Sequence, residues 1–302
     1  MSISRRDFLK LGFLGSAVVT TGTTYAIGTN QLAEKVETTV KIPNLPKAFD
    51  GYKIAFIADI HLGVYLSSEM LDYAINLAKG SEPDLFLLGG DYIWIQRTTL
   101  ASSIAQLKNR EFEGYPYGKR IKVIFETCAD LVSQVNAPDG TFAIYGNHDR
   151  WEDPLSCKDS FVSKKIELLN NKVVTVTRAD STLELLGTDD YWTGAPTTAG
   201  LTDQIDRNTL RVVLSHNPDY VSYLIHKTPF YFHLALCGHT HGGQVQIPGY
   251  GPIVSNIRDL RLTEGLYLSE KGNVYTTRGI GTVELPIRIA CPPEVSIITL
   301  ST

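Results

Sequence analysis

Seven histidines occur in the 302-residue sequence, and five of them lie in short polar clusters that each follow an apolar run. The clusters combine imidazole with carboxylate or amide side chains, and they are Asp59-Ile60-His61, Gly89-Gly90-Asp91, Gly146-Asn147-His148-Asp149, His216 and Gly238-His239-Thr240-His241. Imidazole and carboxylate together are typical ligands of first-row transition ions, whereas Ca²⁺ and Mg²⁺ prefer shells of oxygen. The clusters therefore predict a metal site with mixed nitrogen and oxygen ligands.

The number of these side chains indicates two metal ions rather than one. A tetrahedral ion takes four ligands, and the clusters offer more than that. Two divalent ions about 3.5–4 Å apart would use them all. We expect Mn²⁺, with Fe²⁺ and Zn²⁺ as alternatives, because these ions accept nitrogen and oxygen ligands together.

Apolar runs before the clusters predict the strands that position them. The runs cover residues 52–58, 84–88, 141–145, 211–215 and 233–237. Ser67 is placed to cap a helix that reaches Lys79, and a helix between the first two strands makes a parallel pair. In α/β sheets, ligands bind beyond the carboxyl ends of the strands. We therefore expect the five clusters to meet in one crevice.

The order of elements predicts an α/β fold, with one domain, two sheets and helices on the outside. Further helices are expected near residues 100–108, over 121–135 and near 161–170. Two more strands are expected at residues 172–176 and 182–187, and the glycine-rich C-terminal third reads as all-β.

Composition and charge narrow the classes of protein. The chain is 43% hydrophobic and 20% charged, which is ordinary for a globular protein. Its net charge is −4 and no long basic run follows residue 10, so we expect no nucleic-acid partner. The four cysteines form no C-x-x-C pair, which disfavours a zinc-thiolate site, and they are too few for a disulfide framework.

Residues 1–27 resemble a twin-arginine export signal. Arg5 and Arg6 lie in the segment SRRDFLK (4–10), and a weakly apolar stretch rich in glycine and threonine follows. The twin-arginine translocase would then be a partner during export, and we expect a location in the periplasm or at the outer face of the cytoplasmic membrane. The alternatives are a chance pair of arginines and retention of the segment as a membrane anchor. Residues 28–51 read as a linker and a first strand, and 52–302 as the main domain.

The ordered set of clusters resembles the calcineurin-like metallophosphoesterases. The blocks D-x-H, G-G-D, G-N-H-D, H and G-H-T-H occur in that family's order without a departure, and the resemblance spans residues 52–302. The segments GHTHGGQ and SHNPD are similar to the YkuE-type branch, which is frequently exported by the twin-arginine route and adjoins the UDP-2,3-diacylglucosamine hydrolases. The resemblance implies a four-layer α/β/β/α sandwich of two mixed sheets flanked by helices.

The resemblance also implies a role for each residue of the motif. The first ion would be held by Asp59, His61 and His241, and the second by Asn147, His216 and His239. Asp91 would bridge both ions. His148 would protonate or stabilise the leaving oxygen, and Asp149 would orient its imidazole.

The implied reaction is hydrolysis of a phosphodiester by a hydroxide held between the two ions. The substrate would be a small-molecule or lipid phosphoester, such as a nucleotide-sugar lipid like UDP-2,3-diacylglucosamine, and the protein could associate with a membrane surface. A phosphomonoesterase of the same fold is the alternative. The missing basic stripe disfavours a nuclease, and His148 disfavours a non-catalytic metal-binding module.

Weaker signals have two interpretations each. Arg278 and Arg288 either bind a substrate phosphate or form structural ion pairs. Asp190 and Trp192, in the segment 187–194, either line the crevice or belong to an ordinary turn. The aromatic-rich residues 93–120 form either a lid over a lipid-bearing substrate or part of the core.

Overall fold

The structure, a computed structural model, describes residues 32–95, 110–198 and 208–302. In chain order its strands are β1 (Glu34–Lys41), β2 (Lys53–Ile57), β3 (Leu62–Gly63), β4 (Leu85–Leu88), β5 (Ile93–Trp94), β6 (Thr141–Ala143), β7 (Glu167–Leu168), β8 (Lys172–Arg178), β9 (Ser181–Gly187), β10 (Thr209–Ser215), β11 (Leu234–Cys237), β12 (Gln246–Ile247), β13 (Gly251–Pro252), β14 (Gly265–Tyr267), β15 (Asn273–Thr276) and β16 (Glu294–Ser301). The helices are α1 (Ser68–Lys79), α2 (Tyr117–Val132), α3 (Asn147–Glu152), α4 (Pro154–Ser163) and α5 (Pro218–Lys227), with 3-10 turns at Lys47–Phe49, His241–Gly243 and Leu260–Leu262.

The longer strands form two six-stranded sheets. The first has the order β1-β16-β2-β4-β6-β7, and the second has the order β14-β15-β11-β10-β9-β8. Strands β2, β4, β6 and β7 are parallel, and so are β9, β10, β11 and β15. The pairs β16–β2, β8–β9 and β14–β15 are antiparallel, which makes both sheets mixed. The parallel β2–β4 pair confirms the prediction from the strand–helix–strand order.

Alternating side chains build the core in layers. In β2, Ile54 and Phe56 lie between the two sheets, whereas Ala55 and Ile57 lie under helices on the outer face of the first sheet. A third apolar cluster packs α5 on the outer face of the second sheet. The predicted α/β/β/α sandwich of two mixed sheets is therefore confirmed.

Local signals explain where α1 begins and ends. The hydroxyl of Ser67 accepts a hydrogen bond from the Met70 backbone N–H at 3.3 Å, and Gly80 follows the last helical residue. A side-chain acceptor of this kind satisfies one of the amides that have no partner in the first turn. The bounds agree with the prediction from the sequence.

The helix expected near residues 161–170 is α4, which covers Pro154–Ser163, and most of the predicted range lies beyond its end and contains β7. The Asp153 carboxylate accepts hydrogen bonds from the backbone N–H groups of Leu155 and Ser156, and Pro154 is the first helical residue. Asp followed by Pro is a strong start signal, because proline needs no amide partner in the first turn. The sequence contained this signal, and the prediction missed it.

The segment after Asp91 packs into the core at both of its described ends. Tyr92, Ile93 and Ile95 belong to the apolar cluster under the helices, and so does Phe112. These residues favour the core interpretation for 93–95 and for Phe112, whereas Tyr115 and Tyr117 of the same stretch are exposed. Residues 96–109, which contain the helix expected near 100–108, lie outside the described residues, and a lid there stays a prediction.

The predicted linker and first strand contain β1, which pairs in parallel with β16 along its whole length. The N- and C-terminal strands of the described chain are therefore neighbours at one side of the first sheet. Residues 1–31 lie outside the described residues. Within the described ranges, no helix combines the length and apolar character needed to cross a membrane.

Candidate metal centre

Two groups of buried side chains meet at the carboxyl ends of the strands. Within each group the ligand atoms lie within 4.8 Å of one another; the first group is Asp59, His61 and His241, and the second is Asp91, His216 and His239. Asp59, His61 and Asp91 follow strands β2 and β4 of the first sheet. His216, His239 and His241 follow strands β10 and β11 of the second sheet. Each group therefore draws on both sheets, and the centre exists only when the sandwich is closed.

Asp91 lies between the two groups. Its Oδ2 atom is 3.6 Å from Nε2 of His61 and 3.3 Å from Nε2 of His216. Asn147 adds to the second group, because its Oδ1 atom lies 3.2 Å from Nε2 of His216. A carboxylate in contact with both groups can bind two neighbouring ions at once.

Five of the ligands have an unusual backbone conformation. Their φ angles lie between 49° and 71°, and the five are Asp59, His61, Asp91, His239 and His241. A left-handed backbone costs a residue with a side chain about 1–2 kcal/mol. Such strain persists where the surrounding structure imposes it, and it concentrates at functional sites. Close packing contributes here, since a Cβ atom on Gly146 would lie 2.1 Å from Oδ1 of Asp91.

Burial keeps most of the imidazoles neutral. It lowers the pKa of His61 to about 3 and holds the pKa values of His239 and His241 well below their ordinary range. Neutral imidazole is the form that binds metal ions. Burial also opposes charge on Asp91 and His216, but their attraction overrides it, lowering the pKa of Asp91 and raising that of His216. Asp91 therefore stays a carboxylate and requires a positive partner.

Unused nitrogen atoms show that the residues fit a metal. The Nδ1 atom of His241 lies 3.3 Å from the Gly281 carbonyl oxygen, which directs its Nε2 atom to the centre as an acceptor. That Nε2 atom is 3.2 Å from Nε2 of His61 and 3.7 Å from Oδ1 of Asp59. The Nε2 atom of His239 is buried and has no hydrogen-bond partner within the described ranges. Acceptor nitrogens and carboxylate oxygens that converge in a buried space fit divalent cations.

Comparison with known proteins assigns the family. The model of the calcineurin-like phosphoesterase family matches residues 52–243. The chain belongs to this family. The matched range contains all seven residues predicted to hold the two ions.

Relatives of the phosphoesterase span most of its length. YkuE of Bacillus subtilis strain 168, described as an uncharacterised metallophosphoesterase, is 32% identical over 305 residues, covering 99% of this chain and 98% of its own. The phosphodiesterase YaeI of Escherichia coli strain K12 is 31% identical over 254 residues, 82% of each chain. A metallophosphoesterase of Aquifex aeolicus strain VF5 is 24% identical, with 87% and 89% covered. The predicted family is confirmed, and the chain is a metal-dependent phosphoric ester hydrolase.

His148 lies beside the metal centre of the phosphoesterase. Its ring centroid is 5.0 Å from that of His61 and 4.5 Å from that of Trp94. Its backbone N–H donates to Oδ1 of Asp91 at 2.8 Å, and burial lowers the pKa of its imidazole. Among the described residues, no hydrogen bond uses the imidazole nitrogens of His148.

The structure corrects the role predicted for Asp149. Its carboxylate accepts hydrogen bonds from three backbone N–H groups, those of Asp91, Tyr92 and Gly146, each at 2.8 Å. These bonds join the end of β4 to the start of α3. Asp149 therefore holds the backbone that carries the ligands, and it does not contact the His148 imidazole.

The structure also gives the two predicted phosphate-binding arginines other partners. Arg278 forms ion pairs with Glu294 at 2.8 Å and Glu34 at 2.6 Å. Arg288 is buried and donates to backbone carbonyl groups, among them Gly281 at 2.6 Å. Because His241 contacts the same carbonyl, Arg288 supports a ligand from behind. These partners favour a structural role for both arginines over the alternative that they bind a substrate phosphate.

The segment 187–194 lies at the centre as well as forming a turn. The Asp190 carboxylate accepts hydrogen bonds from the backbone N–H groups of Trp192 and Thr193, and the Trp192 ring lies 4.3 Å from that of His239. Sequence reasoning missed Trp151, whose ring is 4.9 Å from that of His148. Its position three residues after His148 on α3 was the available signal, because residues so spaced share a helix face.

Proposed function

We propose that this phosphoesterase hydrolyses phosphodiesters at the centre formed by the two ligand groups. The observation that carries the proposal is the position of Asp91, whose carboxylate contacts a histidine of each group. Similarity to YaeI, which is named a phosphodiesterase, supports a diester rather than a monoester. Two divalent ions, when bound, would act as Lewis acids on the phosphoryl oxygens and acidify a water molecule.

Side chains of the protein balance the charge of the centre and supply a proton donor. Asp59 and Asp91 offset the positive charge of the centre, and their burial keeps bulk water out, which strengthens electrostatic interactions. Water adds to phosphorus and releases a proton as the bond from phosphorus to the leaving oxygen breaks, which gives a phosphate monoester and an alcohol. His148, in its protonated form, gives a proton to the leaving oxygen and regains one from solvent, a role supported by its position beside His61.

The native metal and the location complete the proposal. We infer Mn²⁺, because its preference for mixed ligands matches four histidines, two aspartates and an asparagine. Residues 1–27 would direct export through the twin-arginine translocase, and the support is the pattern around Arg5 and Arg6. The substrates would then be phosphoesters outside the cytoplasmic membrane, including lipid and nucleotide-sugar-lipid diesters at its surface, which the family resemblance supports.

Metal removal tests the reaction. Protein stripped with a chelator should lose turnover of bis-p-nitrophenyl phosphate, and Mn²⁺ should restore it better than Mg²⁺. The same preparations should turn over p-nitrophenyl phosphate, a monoester, more slowly. Full activity without bound transition metal would contradict the two-metal centre. A strong preference for the monoester would favour the alternative function, that of a phosphomonoesterase.

Asp91→Ala tests the bridging position. Loss of a ligand to both ions should lower kcat by more than about 100-fold, since even residues behind a ligand contribute about 10–100-fold. Metal analysis should show fewer ions per chain than in the wild type. Asp180→Ala, at an exposed position in the turn between β8 and β9, is the matched control and should change neither quantity. A variant of Asp91 that keeps its full metal content would remove the bridge from the mechanism.

A further inference from the structure

The three tryptophans of the chain all contact histidine rings of the site. Trp94 lies 5.4 Å from His61 and 4.5 Å from His148 between ring centroids. Trp151 lies 4.9 Å from His148 and Trp192 lies 4.3 Å from His239. Tryptophan is thus concentrated around the histidines of the site.

Two of these indoles face solvent. Trp94 is buried, but Trp151 is 57% exposed and Trp192 is 39% exposed. An indole is among the side chains that gain most from leaving water, because it can bury about 150–250 Å². Within the described protein, a large part of the apolar surface of both indoles therefore stays in contact with water.

The exposed indoles contact histidines that lie beside different ligand groups. Trp151 contacts His148, which stands next to the first ligand group. Trp192 contacts His239, a member of the second group. A phosphate bound at both groups would therefore have one indole on the side of the leaving oxygen and the other on the side of the second ester oxygen.

Hydrogen bonds and an ion pair keep the two indoles in place. Arg150 and Asp189 form an ion pair that joins α3, which carries Trp151, to the turn that carries Trp192. Tyr117 donates a hydrogen bond to Glu152 at 2.7 Å, which holds α3 from its other side. The Asp190 carboxylate fixes the backbone around Trp192. Aromatic groups held rigidly in advance lose little entropy on binding, which suits them to recognition.

We propose that Trp151 and Trp192 bind the two ester groups of the substrate, and that the substrate class is diesters with an apolar or planar group on each alcohol. Trp151 receives the leaving alcohol and Trp192 receives the alcohol that stays on phosphorus. This inference rests on the proposed phosphodiesterase function. The same contacts serve a planar nucleobase or an alkyl chain, because both present an apolar surface to the indole.

Two diesters that differ in one ester group separate the two indoles. Bis-p-nitrophenyl phosphate and methyl p-nitrophenyl phosphate share a leaving group, and the group that remains is aryl in one and methyl in the other. Trp192→Ala should lower the ratio of their kcat/KM values about tenfold, because loss of an aromatic contact and its buried area affects only the aryl ester. Trp151→Ala should lower both kcat/KM values by a similar factor and leave the ratio unchanged.

Controls separate this result from loss of folding. Trp192→Phe should restore most of the ratio, and Tyr250→Ala, at an 81% exposed position in the β12–β13 hairpin, should change neither kcat/KM value. Equal metal content in all variants confirms that the centre is intact. The inference is overturned if Trp192→Ala lowers both diesters equally or lowers neither. A wild type that hydrolyses only the monoester contradicts the proposed function instead.

Binding to a variant that hydrolyses alkyl diesters slowly gives a measurement that depends little on turnover. Dimethyl, dihexyl and dibenzyl phosphate are titrated into metal-loaded His148→Ala, with and without the tryptophan substitutions, while tryptophan fluorescence is recorded. Tighter binding of dihexyl phosphate indicates an alkyl group, as in a lipid, and tighter binding of dibenzyl phosphate indicates a planar group, as in a nucleobase. Both results support the inference if Trp151→Ala and Trp192→Ala each weaken binding about tenfold. Equal affinity for all three diesters overturns it.

Discussion

At the scale of the residue, His148 and Asp149 are neighbours with different surroundings. The His148 ring lies among aromatic rings beside the metal centre, and its nitrogens form no hydrogen bond with the part of the chain that the structure describes. The Asp149 carboxylate is buried and occupied by three backbone N–H groups. The two side chains are adjacent in the sequence, but their hydrogen bonds distinguish them.

Substitution of His148 should affect substrates according to their leaving group. An alkoxide needs a proton as it leaves, whereas p-nitrophenolate, with a conjugate-acid pKa near 7, needs little help. We expect His148→Ala to lose about 10²–10⁴-fold in kcat on an alkyl phosphodiester and far less on bis-p-nitrophenyl phosphate. Metal content should stay at the wild-type level. Loss of metal would make His148 a ligand, and equal losses on both substrates would exclude an acid role.

At the scale of the element, Asp149 joins the end of β4 to the start of α3. Asp149→Ala would leave three buried N–H groups unpaired, and each costs about 1–3 kcal/mol. We expect the free energy of unfolding, measured by urea denaturation, to fall by about 3 kcal/mol. Asp153→Ala is the matched control, because Asp153 also accepts from two backbone amides but is partly exposed, and it should cost about 1 kcal/mol.

The kinetics of Asp149→Ala distinguish support of the backbone from orientation of His148. If Asp149 supports the backbone, its loss should displace the metal-binding side chains. The kcat values on bis-p-nitrophenyl phosphate and on an alkyl phosphodiester should then fall by a similar factor. A variant of normal stability that loses rate only on the alkyl diester would restore the orienting role predicted from the sequence.

At the scale of the whole molecule, Arg278 ties the N-terminal strand of the described chain to the C-terminal one. Its partner Glu294 in β16 is buried, whereas its partner Glu34 in β1 is exposed. Arg278→Ala should lower the free energy of unfolding by about 2–3 kcal/mol, because a buried carboxylate loses its cation. Glu34→Ala should cost less than about 1 kcal/mol, as exposed ion pairs do.

Steady-state kinetics decide between this structural role and phosphate binding. If Arg278 is structural, KM for bis-p-nitrophenyl phosphate should remain at the wild-type value in folded Arg278→Ala. A tenfold rise in KM without loss of stability would return Arg278 to the substrate.

Export is a property of the whole chain, and residues 1–27 are proposed to direct it. Replacing both Arg5 and Arg6 with lysine keeps the positive charge but changes the pair that the twin-arginine receptor reads. The variant should accumulate in the cytoplasm, folded and active, as fractionation and activity assays would show. Export that continues when the twin-arginine translocase is disabled would contradict the proposal.

Features encoded over a few residues were predictable from the sequence. The capping residue Ser67 and the helical spacing of the apolar residues predicted α1, because the start of a helix depends on hydrogen bonds between near neighbours in the sequence. The strand-end clusters predicted the ligands, since parallel strands bring their carboxyl ends to one edge of a sheet. The start of α4 was equally local, at Asp153 and Pro154, and was overlooked.

Only the tertiary structure decided which distant groups become partners. The sequence left Arg288 as a candidate for phosphate binding, whereas in the fold its guanidinium group donates hydrogen bonds to backbone carbonyl groups. Trp151 lies on α3 after a strand of the first sheet and Trp192 lies in a turn after a strand of the second, and the ion pair of Arg150 with Asp189 joins the two segments. Such contacts depend on the path of the whole chain. The sequence offers each charged or aromatic side chain many possible partners of suitable chemistry, and it does not show which of them will lie nearby. Local patterns therefore predicted which side chains could hold metal ions, and packing of the two sheets brought them together and decided what surrounds them.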